Sequence, residues 1–282
     1  MNALVKSIGI LAFGALVSLN LNAQDFQGQA TYISKSTMDL GRWGARLSEA
    51  QKKQVMARMK NRLEKTYTLT FNKEESIFKE NDMLDAMSGA TDSWGKNFAA
   101  GEQYKNVKTN IQLQDQEFYG KQFLVKDKLQ PIEWKMGTES KQIGNYMCFK
   151  ATASIPTDEL TWYNFSWDKL RRSEAAKQNA DGDTEATEEP EVAMTEVEAW
   201  YSPQIPVSHG PSEYWGLPGL ILEVSAGNTT MLCSKLVINP QDKVDIEAPD
   251  KGKEVNKTEY QDIISNKMKE FRDNRGRRRS GR

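Results

Sequence analysis

Short runs of alternating apolar and polar residues recur along most of the chain, and they predict a protein built mainly from β-strands. A weak alternation over residues 26–33 predicts the first strand. Residues 66–71 and the run through Ile77 predict a hairpin. Three more short strands are predicted at 107–113, 117–119 and 122–126. Only polar turns separate these runs, whereas parallel strands need a long crossover, so the spacing indicates an antiparallel meander.

Two segments change to the helical period. The first helix is predicted at 47–65, where one stripe collects Leu47, Val55, Met59 and Leu63. Ser48 and Gln51 match a capping box at its start. The second helix is predicted at 257–271, within a basic C-terminal tail (251–282) that carries Arg272, Arg275, Arg277, Arg278, Arg279 and Arg282.

Four further strands are predicted in the second half of the chain, at 132–136, 141–151, 220–226 and 229–238. Gly227 and Asn228 predict a two-residue hairpin loop between the last two strands. That loop would place Leu222 opposite Cys233 and Val224 opposite Met231. We therefore expect one core face formed by Leu220, Leu222, Val224, Met231 and Cys233.

The Pro-rich segment (residues 198–224) carries four of the nine prolines and several large aromatic side chains. Fixed φ angles leave such a segment few unfolded conformations to lose, which predicts a rigid, irregular shape. Near its end, Pro218 suits position i+1 of a type II turn. Gly219 suits position i+2, where φ is positive.

The six residues from Gly216 to Ile221 resemble the signature of the GLPGLI family of exported bacterial proteins. A strand containing Trp134 and a later strand with a second family pattern, Gly144, Tyr146, Cys148, Lys150 and Ala151, extend the resemblance over much of the chain. The resemblance implies an envelope protein without an established biochemical activity.

Residues 1–23 have the pattern of a secretory signal peptide, with Lys6 before an apolar run and a small residue, Ala23, at the expected cleavage position. The apolar run is shorter than the about 20 residues that span a bilayer. It does not end in the cysteine that a lipid anchor would need. These features predict a periplasmic protein, with the cell surface or secretion as the alternative.

Residues 24–250 are predicted to form one β-rich domain, interrupted by a disordered acidic insertion at 173–191. The insertion lacks the spacing of a calcium-binding loop. The net charge of −1 and the absence of a second long apolar run favour neither nucleic-acid binding nor a membrane span after signal cleavage. Cys148 and Cys233 are either a disulfide, as an oxidising compartment favours, or two buried thiols.

Few residues suggest catalysis. His209 is the only histidine, and it lies in a loop without a surrounding motif, which is typical of a surface residue. The chain contains no nucleophile elbow, no zinc-protease motif and no phosphate loop, so no cofactor or metal site is predicted. The oligomeric state is left open.

Large aromatic side chains near the Pro-rich segment form either core packing or an exposed docking surface. The candidate docking residues are Trp200, Tyr201, Tyr214, Trp215, Pro218 and Gly219. The predicted fold is mainly β (α+β), a curved antiparallel sheet or half-open barrel with a helix packed across it and a helical C-terminal tail. The predicted function is non-catalytic binding of an envelope protein or a hydrophobic, lipid-like ligand. A hydrolase of unrecognised type is the alternative.

Overall fold

The computed structural model describes residues 26–38, 40, 44–81, 98–168, 170–171, 174 and 192–280. The predicted signal peptide, and the acidic insertion apart from Glu174, lie outside these residues. The described strands are β1 Gln27–Ser36, β2 Glu64–Asn72, β3 Glu75–Glu80, β4 Gln103–Asn106, β5 Ile111–Phe118, β6 Lys121–Lys128, β7 Lys135–Ile143, β8 Tyr146–Pro156, β9 Met194–Ser202, β10 Leu220–Ala226, β11 Thr229–Ile238 and β12 Lys253–Val255.

All these strands belong to one open, curved sheet, so the mainly β fold class is confirmed. Their order across the sheet is β12-β6-β5-β4-β3-β2-β1-β11-β10-β9-β8-β7. Antiparallel neighbours follow one another from β1 to β6 and again from β7 to β11. The pairing of β1 with β11 joins these two meanders, and β12 adds to β6 in parallel.

Predicted strands differ from the structure in two places, and the strands predicted at 107–113 and 117–119 form the single strand β5 from Ile111 to Phe118. Residues 107–110 form a turn because the Asn106 side-chain oxygen accepts hydrogen bonds from the backbone nitrogens of Lys108 and Thr109, at 3.0 and 2.9 Å. The strand predicted at 141–151 is broken at Gly144, whose φ of 58° suits a tight hairpin turn between β7 and β8.

The first helix, α1, spans Glu49–Leu63 and begins with the predicted capping box, in which Ser48 and Gln51 satisfy each other's backbone nitrogens. None of its described side chains is fully buried, and its contacts are with β1 and β2. A single helical turn, α2, spans Thr157–Leu160.

The C-terminal helix, α3, spans Lys257–Ser280 and is longer than predicted. Its first turns bury Tyr260, Ile264 and Met268 against Phe118 and Phe123 of the sheet. The start of the basic tail is therefore part of the hydrophobic core. No helix among the described residues is long and apolar enough to cross a membrane.

Besides the buried residues packed around α3, the core contains two further clusters of apolar side chains. Each of them includes residues of the hairpin at 220–238. Its Val224–Met231 pairing is as predicted, but the five expected residues do not share one face. Leu220, Leu222 and Cys233 belong to one cluster, Val224 packs with Ile221 in the other, and Met231 touches both. A β-bulge between Ile221 and Glu223 inserts an extra residue against β9 and so reverses the alternation.

Candidate functional site

Four of the six candidate docking residues are buried. Trp200, Tyr201 and Tyr214 are each less than a tenth exposed and pack in the core clusters, and Gly219 is buried as well. The docking interpretation is therefore wrong for these four, and the core-packing alternative describes them. Trp215 is half-buried and Pro218 is exposed.

Besides Trp215 and Pro218, three exposed apolar side chains that were not predicted as site residues occur on β7 and β8. Met136 is 54% exposed, Met147 is 46% exposed and Phe149 is 37% exposed. We call these five residues the β7–β8 patch. The alternation of apolar and polar residues does not by itself predict which side chains of β7 and β8 are buried, because the two strands lie at the end of the sheet.

Hydrogen bonds attach two members of the β7–β8 patch, Trp215 and Met147, to neighbouring parts of the chain. The Trp134 indole donates to the carbonyl oxygen of Trp215 at 2.8 Å, and the Trp215 indole donates to the carbonyl of Gln130 at 2.9 Å. These bonds hold Trp215 against the chain that leads into Met136. On the other side, the Ser202 hydroxyl donates to the carbonyl of Met147 at 2.9 Å. Ser202 also lies against Gly219, which follows Pro218 in the sequence.

Gly219 does not have the positive φ that a type II turn would require; in this turn region Gly216 has it instead, at 92°. The type II assignment is therefore wrong. Gly219 is needed for another reason, because a Cβ at this position would lie 2.3 Å from the backbone oxygen of Ser202 and 2.8 Å from the nitrogen of Pro203. Because Gly219 has no side chain, its backbone can approach the backbone of Ser202 and Pro203.

Gly219→Ala is expected to lower the free energy of unfolding by about 1–3 kcal/mol, because the new methyl group forces backbone apart in a packed interior. The matched control is Pro218→Ala at the exposed neighbouring position, where a change below about 1 kcal/mol is expected. Urea unfolding followed by tryptophan fluorescence measures both. Equal midpoints for the two variants would contradict the close-approach explanation.

A second group of residues is unusual because it is polar and buried. In β5 the glutamines Gln112, Gln114 and Gln116 are buried, whereas Ile111 and Leu113 are only half-buried. Gln103 and Lys105 of β4 pair with Gln114 and Gln112 and are buried on the same face. The inward face of this part of the sheet is thus lined by amides, which reverses the usual placement of polar residues.

Glu213 of the Pro-rich segment is the centre of this polar group. One carboxylate oxygen accepts from Gln103 at 2.9 Å and from the Trp162 indole at 3.0 Å. The other accepts from Gln112 at 2.8 Å and faces the Lys257 ammonium at 3.5 Å. This half-buried carboxylate has enough donors to be well satisfied, and it ties β4, β5, α3 and the Pro-rich segment together.

Lys105 holds the backbone of the same segment. Its ammonium group donates to the carbonyl oxygens of Gly210, Ser212 and Tyr214 at 2.9, 2.6 and 3.2 Å. Three acceptors match the three donors of a protonated lysine. Burial lowers the pKa of Lys105 to about 7, and the nearby carboxylate of Glu213 acts in the opposite direction.

His209 was expected at the surface, but it is fully buried and packs near the ring of Phe71. Among the described residues neither ring nitrogen has a hydrogen-bond partner. Burial, with a smaller contribution from the charge of Lys105, lowers the pKa of His209 to about 3. The surface prediction is therefore wrong, and His209 is a neutral core residue at ordinary pH.

Cys148 and Cys233 are both free thiols in the structure, so the candidate disulfide is not formed. Both pack on the same hydrophobic cluster, Cys148 fully buried and Cys233 half-buried. Burial raises the pKa of each thiol to about 11. They behave as small apolar residues, the alternative that the sequence left open.

Lys105, Glu213 and the buried glutamines were not among the site residues predicted from the sequence. One signal was available: Gln112, Gln114 and Gln116 recur at every second position of a predicted strand region. Such a repeat defines one polar face, but it does not tell whether that face is turned to solvent or to the interior. Glu213 and Lys257, which cover this face, lie 101 and 145 positions from Gln112 in the sequence.

Comparison with known proteins adds a family of unknown function. Residues 134–223 match the family described as "Protein of unknown function (Porph_ging)". The matched range includes Trp134, the β7–β8 hairpin and nearly all of the Pro-rich segment. No curated protein matches the chain.

Two solved structures align with most of this chain. The structure of PNGF-II in the C2 space group has 14% sequence identity and a TM-score of 0.47, with 85% of this chain and 32% of that chain covered. The structure of PNGF-II in the P21 space group has 14% identity and a TM-score of 0.46, with 84% and 33% covered. The chain thus spans about a third of the length of these structures.

Proposed function

We propose that the protein is an exported, GLPGLI-type component of the bacterial cell envelope that acts by binding, without catalysis, to a protein partner. The β7–β8 patch is the proposed docking surface. The signal-peptide pattern of residues 1–23 supports export, and the periplasm is the proposed compartment. The observation that carries the docking proposal is the uneven covering of one sheet face.

Tyr214 and Leu217 of the Pro-rich segment cover the part of this face that contains Ala199 and Ile221. In the same segment Trp215 is half-buried and Pro218 is exposed, and the exposed Phe149 lies with its ring 6.4 Å from that of Tyr201. An apolar segment of a partner placed here would extend the layer that the chain itself begins. Aromatic and methionine side chains are enriched at such interfaces.

A protein partner fits this surface better than a lipid-like ligand. An acyl chain needs a concave, apolar pocket that surrounds most of its surface. Two surface cavities of about 410 and 500 Å³ are instead lined mainly by charged and polar side chains, including Lys73 and Glu74 in one and Lys126 and Glu254 in the other. The β7–β8 patch itself is open, which suits a flat interface.

Site-specific photo-crosslinking tests the docking surface. A benzoyl-phenylalanine placed at Phe149 is expected to give a discrete protein adduct in intact cells, at least about fivefold stronger than the same probe at Phe271. Phe271 is the matched control, because it is an equally exposed phenylalanine, 38% against 37%, on the C-terminal helix. Adding Met136→Ser and Met147→Ser should reduce the adduct at Phe149 without changing the melting temperature, since both side chains are exposed.

Equal adducts from the two positions would contradict a specific docking surface. Adducts formed only with lipid would indicate that this surface binds a lipid-like ligand and not a protein partner. An adduct that survives both serine substitutions would place the interface elsewhere.

A further inference from the structure

Three large aromatic side chains are exposed around α3 and the β5–β6 turn. Tyr119, Trp167 and Phe271 are each 38% exposed, and we call them the aromatic surface. Tyr119 lies in the turn between β5 and β6, and Phe271 lies on α3. In the strand order of the sheet, β5 and β6 lie near one end and β7 and β8 at the other. The aromatic surface is therefore distinct from the β7–β8 patch.

Ring contacts connect the three exposed side chains. Each ring of a series lies 4.8–6.2 Å from the next, measured between centroids, and the order is Trp167, Phe165, Phe98, Phe118, Tyr119 and Phe271. The exposed rings are thus the outer members of one packed group. Tryptophan and tyrosine combine an apolar ring with a polar atom, which suits the boundary between an apolar and an aqueous phase.

The backbone of Tyr119 also suggests a role for its side chain. Tyr119 and Gly120 form a two-residue hairpin loop, with φ of 49° and 73°. Two positive φ angles favour asparagine followed by glycine, and they are unfavourable for a bulky side chain. The loop thus has a tyrosine where asparagine would suit the backbone better. A local cost of this kind is common where a side chain takes part in binding.

Past Met268, α3 leaves the sheet. Residues 271–274 make a full helical turn, and all four are exposed. The stripe that the first turns of α3 bury ends at Met268. Continued with the helical period, this stripe reaches Arg275, Arg278 and Arg279. The same side of the helix is therefore apolar along the sheet and basic beyond it.

The positive charge is concentrated after residue 273. Residues 274–282 include five arginines and no acidic residue. The basic side chains before them are already paired, since Lys269 and Arg272 each lie 3.2 Å from the carboxylate of Glu174. Four to eight clustered basic residues on a helix are typical of binding to anionic lipids. The charge of this segment therefore complements an anionic surface.

We propose that the end of α3 and the aromatic surface dock the protein on an anionic phospholipid bilayer, on which it lies without crossing it. The arginines after residue 273 would bind the lipid phosphates. Tyr119, Trp167 and Phe271 would lie at the level of the head groups, where amphipathic rings are enriched. An acidic protein would also attract the arginines, but the mixed polar and apolar layer of a bilayer surface accounts for the exposed rings as well.

Co-sedimentation with vesicles tests this docking. The probes are vesicles of phosphatidylcholine with phosphatidylglycerol and vesicles of phosphatidylcholine alone. The purified chain is expected to bind the anionic vesicles at least about tenfold more strongly, and added salt should weaken that binding by screening. All variants keep residues 1–23 unchanged, so the apolar run there contributes equally to every comparison.

The contribution of the arginines is measured by combining Arg277→Gln, Arg278→Gln and Arg279→Gln. Binding to anionic vesicles should weaken at least about tenfold, because each basic residue near an anionic surface contributes about fivefold. A matched control removes three exposed positive charges from α1, and should change binding by less than about threefold. Its substitutions are Lys53→Gln, Arg58→Gln and Lys60→Gln.

Tyr119→Asn separates binding from folding. Asparagine suits the φ of 49°, so this variant should melt at the same or a higher temperature, yet bind anionic vesicles at least about threefold more weakly. Phe271→Ser should weaken binding in the same way. Phe149→Ser is its control, because Phe149 is an almost equally exposed phenylalanine, 37% against 38%, outside the aromatic surface. The control should bind vesicles as the parent does.

Four results would overturn the proposal. The first is equal binding to the two kinds of vesicle. The second is an arginine variant that binds as well as the α1 control. The third is undiminished binding by both Tyr119→Asn and Phe271→Ser, which would leave only a general attraction between charges. The fourth is tighter binding to single-stranded DNA than to anionic vesicles, which would assign the surface to nucleic acid.

Discussion

Lys105→Met is expected to lower the free energy of unfolding by about 3–5 kcal/mol. The substitution leaves three buried carbonyl oxygens of residues 210, 212 and 214 without a donor, and each unsatisfied group is destabilising by about 1–3 kcal/mol before relaxation. It also removes a positive charge from the neighbourhood of Glu213. Guanidinium unfolding at pH 6, where Lys105 is protonated because its pKa is about 7, followed by circular dichroism, measures the change.

Lys108→Met is the matched control for this experiment. Lys108 lies three residues away, is mostly exposed and pairs with Glu74 at the surface. Exposed ion pairs contribute about 0–1 kcal/mol, so the control should unfold almost as the parent does. If Lys105→Met and Lys108→Met unfold at the same guanidinium concentration, the three backbone carbonyls do not depend on the ammonium group of Lys105.

Acid is expected to destabilise the fold through His209. Its pKa is depressed from 6.5 to about 3 in the folded state, so below pH 6.5 the unfolded chain binds a proton that the folded protein does not. The stabilising contribution is complete above pH 6.5 and decreases by about 1.4 kcal/mol per pH unit as the pH falls toward 3. By pH 5 the loss should be about 2 kcal/mol.

Urea unfolding of the parent and of His209→Leu between pH 7.5 and 5 measures this dependence. The leucine variant should lose most of the slope below pH 6.5, because no other histidine exists in the chain and Lys105, with a pKa of about 7, is mostly protonated there. It should be close to the parent in stability at pH 7.5, since the two ring nitrogens that it removes have no partner among the described residues. Parallel pH profiles for both proteins would contradict a buried, neutral histidine.

Local patterns predicted the elements of this fold well. The capping box of Ser48 and Gln51, the loop at Gly227 and the start of α3 at Lys257 depend on residues a few positions apart, and all three are confirmed. Their geometry follows from backbone sterics and nearby hydrogen bonds, which any chain with these residues shares.

Features that depend on distant contacts could not be predicted in the same way. Alternation assigned Leu222 and Val224 to one face, but the bulge that separates them is defined against β9 and is not encoded in the hairpin itself. Gly219 was assigned a positive φ because its neighbours suit a turn, whereas the constraint comes from Ser202, 17 positions earlier. His209 was assigned to the surface because nothing in its local sequence indicates the layers above and below it.

The candidate site shows the same limit. Glutamines at every second position of β5 are equally compatible with a solvent-facing strand, and only the covering by Trp162, Glu213 and Lys257 turns them into a buried network. For the aromatic side chains the error went the other way, because residues considered for an exposed surface are buried. Trp200 and Tyr214 were candidates for exposure because they are large, and the same size makes them effective core residues.

The position of β1 in the sheet has a consequence for how the chain reaches its native state. β1 forms its second set of ladder hydrogen bonds with β11, about 200 residues later, and β12 then returns to the far side of the first meander. A growing chain can pair β1 to β6 early, yet this half keeps two open edges until the last quarter has been made. Closing so long a loop is entropically costly, and contacts of such high sequence separation go with slow folding. The first meander should therefore persist in an unfinished form that stays open to helper proteins, and completion of the fold should wait for the chain's final segment.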